Sequence, residues 1–271
     1  MGPAEFESDP NSADSGARFL LGVLGGMGPL ATVDFLAKLI DATPADGDGD
    51  HVPVVVASIP QIPSRVAAIL RGGESPLPAL VDARDRLLAA GATLFAMPCN
   101  TAHRWHADLA TGIGVPFLHI ADAAVGEVAA RVAAGSTVGV IATDATRAIR
   151  LYSSRLERAG YRVVEPADPA DLDAVAQGIA AVKRGDPAGG GRDFARVVAS
   201  LERDGAAAIV LGCTEIPPGL AAARVPGGVP WIDPTDALAR ACAAAWARAR
   251  TAPGPSGDRR ARALDKGGRR Q

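Results

Sequence analysis

Short apolar runs alternate with longer amphipathic stretches along most of this chain. The runs are continuous rather than alternating in polarity, which is typical of strands buried on both faces of a parallel sheet. The predicted strands are Phe19–Leu24, Val52–Ala57, Thr93–Met97, Phe117–Ile120, Thr137–Ile141, Tyr161–Val164, Ala207–Leu211 and Trp231–Ile232. The predicted helices are Leu30–Leu39, Leu77–Ala90, Ala123–Ala133, Thr146–Arg158, Asp171–Lys183, Phe194–Arg203 and Thr235–Arg248. Such alternation predicts right-handed βαβ units and an α/β fold.

The second half of the chain repeats landmarks of the first half. A glycine stands eight residues before each of Cys99 and Cys213, and a Val-Pro pair begins sixteen residues after each. Gly22 and Gly139 open similar four-residue segments, and the offsets of 114 and 117 residues keep the halves nearly in phase. We interpret this as an internal duplication. It predicts two similar doubly wound parallel-sheet lobes related by a pseudo-two-fold axis, with the active site in the cleft between them.

The repeat also predicts where the domains begin and end. The first lobe is expected at 18–121, completed by a returning segment at 226–250, and the second lobe at 122–225. The N-terminal tail, 1–17, is rich in Asp, Glu, Ser, Gly and Pro and lacks the basic-then-apolar order of a signal peptide. The C-terminal tail, 251–271, carries six Lys or Arg against two Asp. Both tails have too few apolar residues to offset the entropy of ordering, so we predict disorder.

Composition narrows the function classes. The formal charge of −2 on 271 residues gives no basic field that would attract nucleic acid or an acidic membrane. No apolar stretch reaches the about 18 residues that a membrane span needs. Three cysteines without CxxC spacing argue against a disulfide framework and a zinc site, and favour the cytoplasm. His103 and His106 share a helical face, but no third ligand is evident, so we predict no metal.

Cys99 and Cys213 each follow a predicted strand, where a helix is expected to begin. In open α/β sheets, ligands bind at this carboxyl edge of the strands. A lone buried cysteine is often only a small apolar side chain, but the symmetric placement of this pair favours chemistry. A helix start favours thiolate over thiol. Two equivalent thiols are suited to removing a proton from one face of a carbon and returning one to the other.

Other segments have less specific signals. The turn at Gly25–Pro29 fits neither nucleotide-binding glycine pattern and favours backbone amides presented to a carboxylate, with a purely structural turn as the alternative. Arg65 follows a proline-stiffened segment, and its planar fork suits a carboxylate. A solvated surface arginine explains the bare sequence equally well. Lys183 ends a predicted helix, where a cation has an ordinary structural role.

Several of these segments together resemble the cofactor-independent aspartate/glutamate racemase family, and its aspartate branch most closely. The resemblance runs from Phe19 to Ala247 and is carried by Gly22–Thr32, Pro60–Pro63, Met97–His103, Gly178-Ile179 with Lys183 and Gly185, and Gly212–Glu215. It implies two facing α/β lobes, a homodimer, no cofactor and a two-base proton exchange at Cα. It also implies that Arg65 and Lys183 approach the substrate and the cysteines.

The resemblance implies a set of site residues. The catalytic pair is Cys99 and Cys213. The expected substrate-binding residues are Gly26, Met27, Gln61, Arg65, Asn100, Thr101, Thr143, Thr146, Lys183, Thr214 and Glu215. One segment departs from the family pattern, because Ala145 replaces the usual glycine and Ile149 the usual serine. Both threonines of that segment remain, so carboxylate binding is retained in this interpretation while the side-chain preference stays open.

The resulting hypothesis is a racemase that interconverts L- and D-aspartate or a related acidic amino acid. One cysteine, as thiolate, removes the α-proton, and the other, as thiol, protonates the opposite face. Two alternatives stay open. One is cis–trans isomerisation of a dicarboxylate by cysteine addition, and the other is a non-catalytic amino-acid-binding protein. The expected partners are a small acidic substrate and a second copy of the chain, without nucleic acid or membrane.

Overall fold

The computed structural model describes residues 19–251. The strands are β1 (Leu21–Gly25), β2 (Val54–Ser58), β3 (Leu94–Ala96), β4 (Thr137–Ala142), β5 (Arg162–Val164), β6 (Ala208–Gly212) and β7 (Trp231–Ile232). The helices are α1 (Pro29–Asp41), α2 (Arg65–Arg71), α3 (Leu77–Ala89), α4 (His106–Ala110), α5 (Ile120–Arg131), α6 (Asp144–Ala148), α7 (Ser153–Arg158), α8 (Pro169–Lys183), α9 (Pro187–Arg203), α10 (Ile216–Ala222) and α11 (Pro234–Thr251). Short 3₁₀ helices lie at Asp48–Asp50 and Thr101–Trp105.

The strands form two parallel sheets with the same internal order. The first sheet has the order β2-β1-β3, and the second has the order β5-β4-β6-β7. On the outer side of β3, its residue Phe95 forms a parallel bridge with Phe117. In the same way, Ile209 of β6 pairs with Trp231 of β7 in the second sheet. Each residue of the second pair lies 114 positions after its counterpart (209 − 95 and 231 − 117). The predicted α/β class with two similar parallel-sheet lobes is therefore confirmed.

The chain crosses back between the lobes near its end. β7 lies in the segment that we expected to complete the first lobe, yet it pairs with β6 of the second sheet. α11 then packs against α1 of the first lobe and against α5. Lys38 of α1 donates to Asp233, just before α11, over 2.7 Å, and Trp246 donates to the Asp50 carbonyl over 2.8 Å. The tails predicted at 1–17 and 251–271 lie outside the described residues, except for Thr251, which ends α11.

One predicted helix is broken in two. The helix expected at Thr146–Arg158 is α6 followed by α7, and Arg150 between them has a φ of 50°. A left-handed residue ends a helix, and glycine or asparagine usually marks that position. Because an arginine stands here, the sequence pattern contains no sign of the break. The expected strand at Phe117–Ile120 likewise reduces to the single bridge at Phe117, because α5 begins at Ile120.

Substituting a glycine of α9 tests how closely α9 and α10 pack, and an exposed glycine of α5 provides the control. A Cβ on Gly191 of α9 would lie 2.0 Å from the Gly219 carbonyl oxygen and 2.5 Å from the Ala223 Cβ, whereas a Cβ on the exposed Gly126 of α5 meets nothing within 4 Å. We expect Gly191→Ala to lower the free energy of unfolding by about 2–3 kcal/mol through overpacking. Gly126→Ala should raise it by about 1 kcal/mol through helix propensity. Urea unfolding of both variants measures this, and shifts of the same sign would contradict the packing.

Candidate active site

The two cysteines predicted to be catalytic line one cavity at the carboxyl edges of both sheets. Cys99 follows β3 and Cys213 follows β6, and each side chain is 7% exposed. The cavity has a volume of about 100 Å³. Its lining residues come from both lobes and are Met27, Ser64, Arg65, Val66, Cys99, Asn100, Thr101, Thr143, Lys183, Cys213, Thr214 and Glu215.

Ten of the thirteen site residues expected from the sequence are in that lining, and three are not. The Gly26 amide donates to the Thr32 hydroxyl over 2.8 Å, so it is engaged within its own loop rather than offered to the cavity. Gln61 is exposed on the segment before α2. Thr146 is 1% exposed, and its hydroxyl bonds to other threonines. Sequence reasoning missed Ser64 and Val66, which flank Arg65 and have no chemical signal of their own.

A close contact between two loops brings Met27 into the cavity. Gly26 has a φ of 87°, and a Cβ there would lie 2.2 Å from the backbone nitrogen of Ile59. Only glycine combines this left-handed conformation with such an approach. The loop after β1 therefore lies directly against the loop after β2, and the next residue, Met27, reaches the cavity wall.

Arg65 is held in place by backbone carbonyls. It is the first residue of α2, whose N-cap Ser64 accepts from the Ala67 amide over 3.2 Å. Its guanidinium donates to the carbonyls of Ile62 and Pro63 over 3.0 Å each, and to that of Met27 over 3.4 Å. A guanidinium has five N–H groups, and within residues 19–251 three of them are used in this way. The remaining two N–H groups can bind an anion in the cavity.

Glu215 contacts the second cysteine directly. The Cys213 thiol donates to the Glu215 Oε2 over 2.9 Å, and the Thr214 hydroxyl donates to the same oxygen over 3.1 Å. The Lys183 ammonium lies 3.7 Å from the other carboxylate oxygen. The cavity therefore carries two cations and one carboxylate, and the carboxylate lies on the Cys213 side.

Burial raises the pKa of both thiols. The pKa of Cys99 lies above its usual value because of desolvation, which the charge of Arg65 opposes. The pKa of Cys213 lies well above its usual value because of desolvation, followed by the charge of Glu215 and the hydrogen bond to it. As expected for helix starts, a backbone N–H lowers the pKa of each thiol, that of Ala102 for Cys99 and that of Glu215 for Cys213, but desolvation has the larger effect. Cys99 precedes only a 3₁₀ helix, α10 begins three residues after Cys213, and desolvation outweighs such short dipoles.

Side chains from the second lobe hold the segment after Cys99. The Thr101 hydroxyl lies 2.9 Å from that of Thr146, which also accepts from Thr143 over 2.9 Å. The buried Tyr152 hydroxyl donates to the Asn100 side-chain oxygen. That contact directs the Asn100 NH₂ group away from Tyr152, and Asn100 lines the cavity. Tyr152 was missed from sequence, because it lies inside the helix that was predicted to be continuous.

The Tyr152–Asn100 hydrogen bond can be tested by deleting one hydroxyl. In Tyr152→Phe, the buried Asn100 oxygen loses its donor, and we expect the free energy of unfolding to fall by about 1–3 kcal/mol. Tyr161→Phe is the matched control, since its hydroxyl makes only a 3.4 Å contact with the Val132 carbonyl. Urea unfolding compares the two variants. An equal loss in both would mean that the Asn100 contact contributes nothing specific.

Three histidines form a cluster behind Cys99, in which His103 is buried and the other two are half-buried. The ring centroids of His103, His106 and His119 are 4.5–5.5 Å apart. His103 Nε2 accepts from the Ile120 amide over 3.1 Å, so its Nδ1 carries the proton and donates to the Cys99 carbonyl over 2.9 Å. The cluster thus supports the backbone of the first cysteine. Across residues 19–251, no three His, Cys, Asp or Glu side chains converge as a metal site.

Cys242 has none of this environment. It is fully buried in α11, and burial raises its pKa to about 12. Unlike Cys99 and Cys213, it does not line the cavity and so cannot reach a substrate bound there. In the described part of the chain, no helix is both long and apolar enough to cross a membrane.

Comparison with known proteins relates this chain and its fold to racemases. The Asp/Glu/hydantoin racemase family matches residues 24–242. A broad-specificity amino-acid racemase from Bacillus subtilis is 28% identical over 149 residues, which are 54% of this chain and 63% of that protein, just under two thirds of its length.

Solved structures extend the similarity over most of the chain. An aspartate racemase from Picrophilus torridus is 30% identical with a TM-score of 0.74, covering 84% of this chain and 94% of its own. An aspartate racemase homologue from Pyrococcus horikoshii is 24% identical with a TM-score of 0.67, covering 84% and 98%, and supports the fold alone. With the family match spanning both cysteine motifs, this chain belongs to the Asp/Glu/hydantoin racemase family.

Proposed function

We propose that this protein is a cofactor-independent racemase that interconverts the L and D forms of aspartate or a closely related acidic amino acid. The observation that carries the proposal is the meeting of Cys99 and Cys213, one from each lobe, in a single cavity that also holds two cations. Membership of a racemase family supports an isomerase. The aspartate racemase from Picrophilus torridus supports the choice of an acidic amino acid.

The proposed reaction moves one proton in each of two steps. The thiolate of one cysteine takes the Cα proton, and the electron pair of the broken C–H bond stays on the substrate. The other cysteine, as thiol, then donates its proton to the opposite face of Cα. The reverse reaction exchanges the roles, so the pair must hold one proton between them in the free enzyme.

The lining residues supply the charges that this reaction needs. Arg65 has two N–H groups for the side-chain carboxylate of the substrate, and Lys183 adds a second positive charge. The Asn100 amide is a donor for the α-carboxylate, and the Thr101 hydroxyl is a second donor when it accepts from Thr146. The Thr143 hydroxyl lines the same cavity but already donates its proton to Thr146. Donors placed on that carboxylate also stabilise the negative charge that develops as the C–H bond breaks.

Isotope exchange tests the proposal directly. Incubating the protein with L-aspartate in D₂O should produce D-aspartate that carries deuterium at Cα, as measured by chiral chromatography with mass spectrometry. Glutamate and neutral amino acids, run in parallel, define the substrate class. Absence of α-deuterium with every acidic amino acid would refute the racemase. Homodimeric assembly and cytoplasmic location stay predictions, and light scattering on the purified protein tests the first.

A further inference from the structure

The two cysteines have opposite electrostatic neighbours. Cys99 lies beside the cationic Arg65, whose charge lowers the thiol pKa against the effect of burial. The Cys213 thiol instead donates its proton to the carboxylate of Glu215 over 2.9 Å. The internal duplication makes the backbone of the two halves alike, but the dominant neighbouring charge is that of Arg65 for Cys99 and that of Glu215 for Cys213.

We propose that Glu215 is a catalytic acid–base partner of Cys213 that holds the shared proton on Cys213, so that Cys99 is the first of the two thiols to ionise. This inference rests on the proposed racemase function and deepens it. The sequence assigned Glu215 only to substrate binding. Its contact with the reacting sulfur atom supports a role in moving protons.

Electrostatics favours this arrangement over its reverse. A thiolate on Cys213 would face the Glu215 carboxylate at hydrogen-bond distance, and two like charges in a buried site oppose each other strongly. A thiolate on Cys99 would face a guanidinium. Thr214 holds the same carboxylate oxygen at 3.1 Å, so Glu215 is fixed against the sulfur atom. With one proton to share, the pair therefore holds it on Cys213.

Glu215 also has a route to solvent. It lines a second, larger cavity of about 330 Å³ together with Lys183, Thr214 and apolar side chains from α1 and α8. Leu30, in the wall of this cavity, is 75% exposed, so the cavity opens at the surface. The Glu215 side chain itself is 13% exposed. A carboxylate that borders both cavities can exchange protons with water on one side and with Cys213 on the other.

The proton balance of a full cycle shows where Glu215 acts. When the Cys99 thiolate accepts the Cα proton and Cys213 donates its own proton, the enzyme is left with a Cys99 thiol and a Cys213 thiolate. To restore the initial state, Glu215 takes a proton from water and passes it to the Cys213 sulfur, while the Cys99 thiol releases one proton to water. No proton is gained or lost over the cycle, and no oxidant or cofactor enters this step.

Racemisation rates alone cannot reveal this asymmetry. The equilibrium constant between enantiomers is one, so kcat/KM stays equal in the two directions for every variant. The titration of each thiol is the informative measurement, because the thiolate is the nucleophile towards an alkylating reagent. Alkylation by iodoacetamide as a function of pH, with mass spectrometry locating the modified cysteine, reports Cys99 and Cys213 separately without any substrate.

In the wild type, we expect the alkylation profile of Cys99 to have its midpoint at least one pH unit below that of Cys213. Glu215→Gln should move the Cys213 profile down by one pH unit or more and move the Cys99 profile less. Lys183→Met should move the Cys213 profile up, because it removes the cation that opposes Glu215. Glu74→Gln, an exposed glutamate outside the site, is the matched control and should move neither profile.

The outcomes separate this inference from the function on which it rests. A reversed order of the two thiols, or an unchanged Cys213 profile in Glu215→Gln, would overturn the role of Glu215 even if the enzyme racemises aspartate. Correct thiol shifts in a protein that exchanges no α-proton would instead reject the racemase. If Glu215→Gln fails to fold by circular dichroism, the order of the two thiols in the wild-type protein still decides, and a Cys213 that titrates at or below the pH of Cys99 contradicts the proposal.

Discussion

Alanine at either Cys99 or Cys213 will lower the rate of aspartate racemisation by about 10³-fold or more. Each thiol acts on one face of Cα, so the loss of either thiol removes the group that exchanges the proton directly on that face. Each cysteine also belongs to a buried apolar cluster of its lobe, so urea unfolding of each variant must accompany the assay to show that it is folded. Chiral chromatography of aspartate after incubation with each variant provides the measurement.

A half-reaction distinguishes the two-thiol scheme from its alternatives. In D₂O, a variant that retains one thiol should still exchange the Cα proton of one enantiomer without inverting it. Cys99→Ala and Cys213→Ala should therefore label opposite enantiomers. Cys242→Ala is the control and should racemise at the wild-type rate, because Cys242 lies in α11 outside the cavity. Racemisation at the wild-type rate in Cys99→Ala would eliminate the scheme.

Mild acid should destabilise the protein through the histidine cluster. Burial lowers the pKa of His103 well below its usual value, and burial together with the charge of Arg155 lowers that of His119 to about 3. The unfolded chain titrates these imidazoles near pH 6.5, so it binds more protons than the folded protein between that pH and the folded pKa values. Stability is therefore complete above about pH 6.5 and is lost as the pH falls below it.

The size of this effect follows from the same linkage. A buried imidazole that stays neutral at pH 5 lowers the free energy of unfolding by about 2 kcal/mol relative to pH 7. The partly exposed His119 contributes less, so we expect a total decrease of about 3 kcal/mol. Urea unfolding at pH 7 and at pH 5, with constant ionic strength, measures the difference. Carboxylates titrate mostly below this window, which isolates the imidazoles.

A conservative variant checks the assignment to the cluster. The His119 Nδ1 accepts from the Ala121 amide over 3.1 Å and so caps α5. Asparagine is also a strong N-cap, so His119→Asn preserves the cap and removes the titration. This variant should lose less stability between pH 7 and pH 5 than the wild type. An identical loss would mean that His119 does not contribute to the acid sensitivity.

Local patterns predicted the repeated architecture well. Continuous apolar runs predicted the strands to within two residues at each end, because strands buried on both faces consist mainly of apolar side chains. Phe117–Ile120 was the exception, and only a bridge at Phe117 forms there. The duplication followed from fixed spacings around Cys99 and Cys213, and the repeated strand order of the two sheets reproduces it.

The sequence patterns did not predict a helix break that contains neither glycine nor proline. Arg150, two residues after the end of α6, has a left-handed conformation although it is not a glycine. Because of that break, Tyr152 reaches the Asn100 side chain in the other lobe. A tyrosine in an amphipathic stretch has no pattern that would indicate such a contact over 52 residues of sequence.

The sequence by itself determined the α/β class, the two-fold repeat and the cysteine pair, since each depends on residue type and spacing along the chain. Only the tertiary structure decided which side chains share the cavity and what charge each sulfur atom faces. The Gly26 amide donates to the Thr32 hydroxyl, whereas a Glu215 carboxylate oxygen lies 2.9 Å from the Cys213 sulfur. Desolvation and charge act through space, so the protonation of two thiols 114 residues apart depends on the folded arrangement around them.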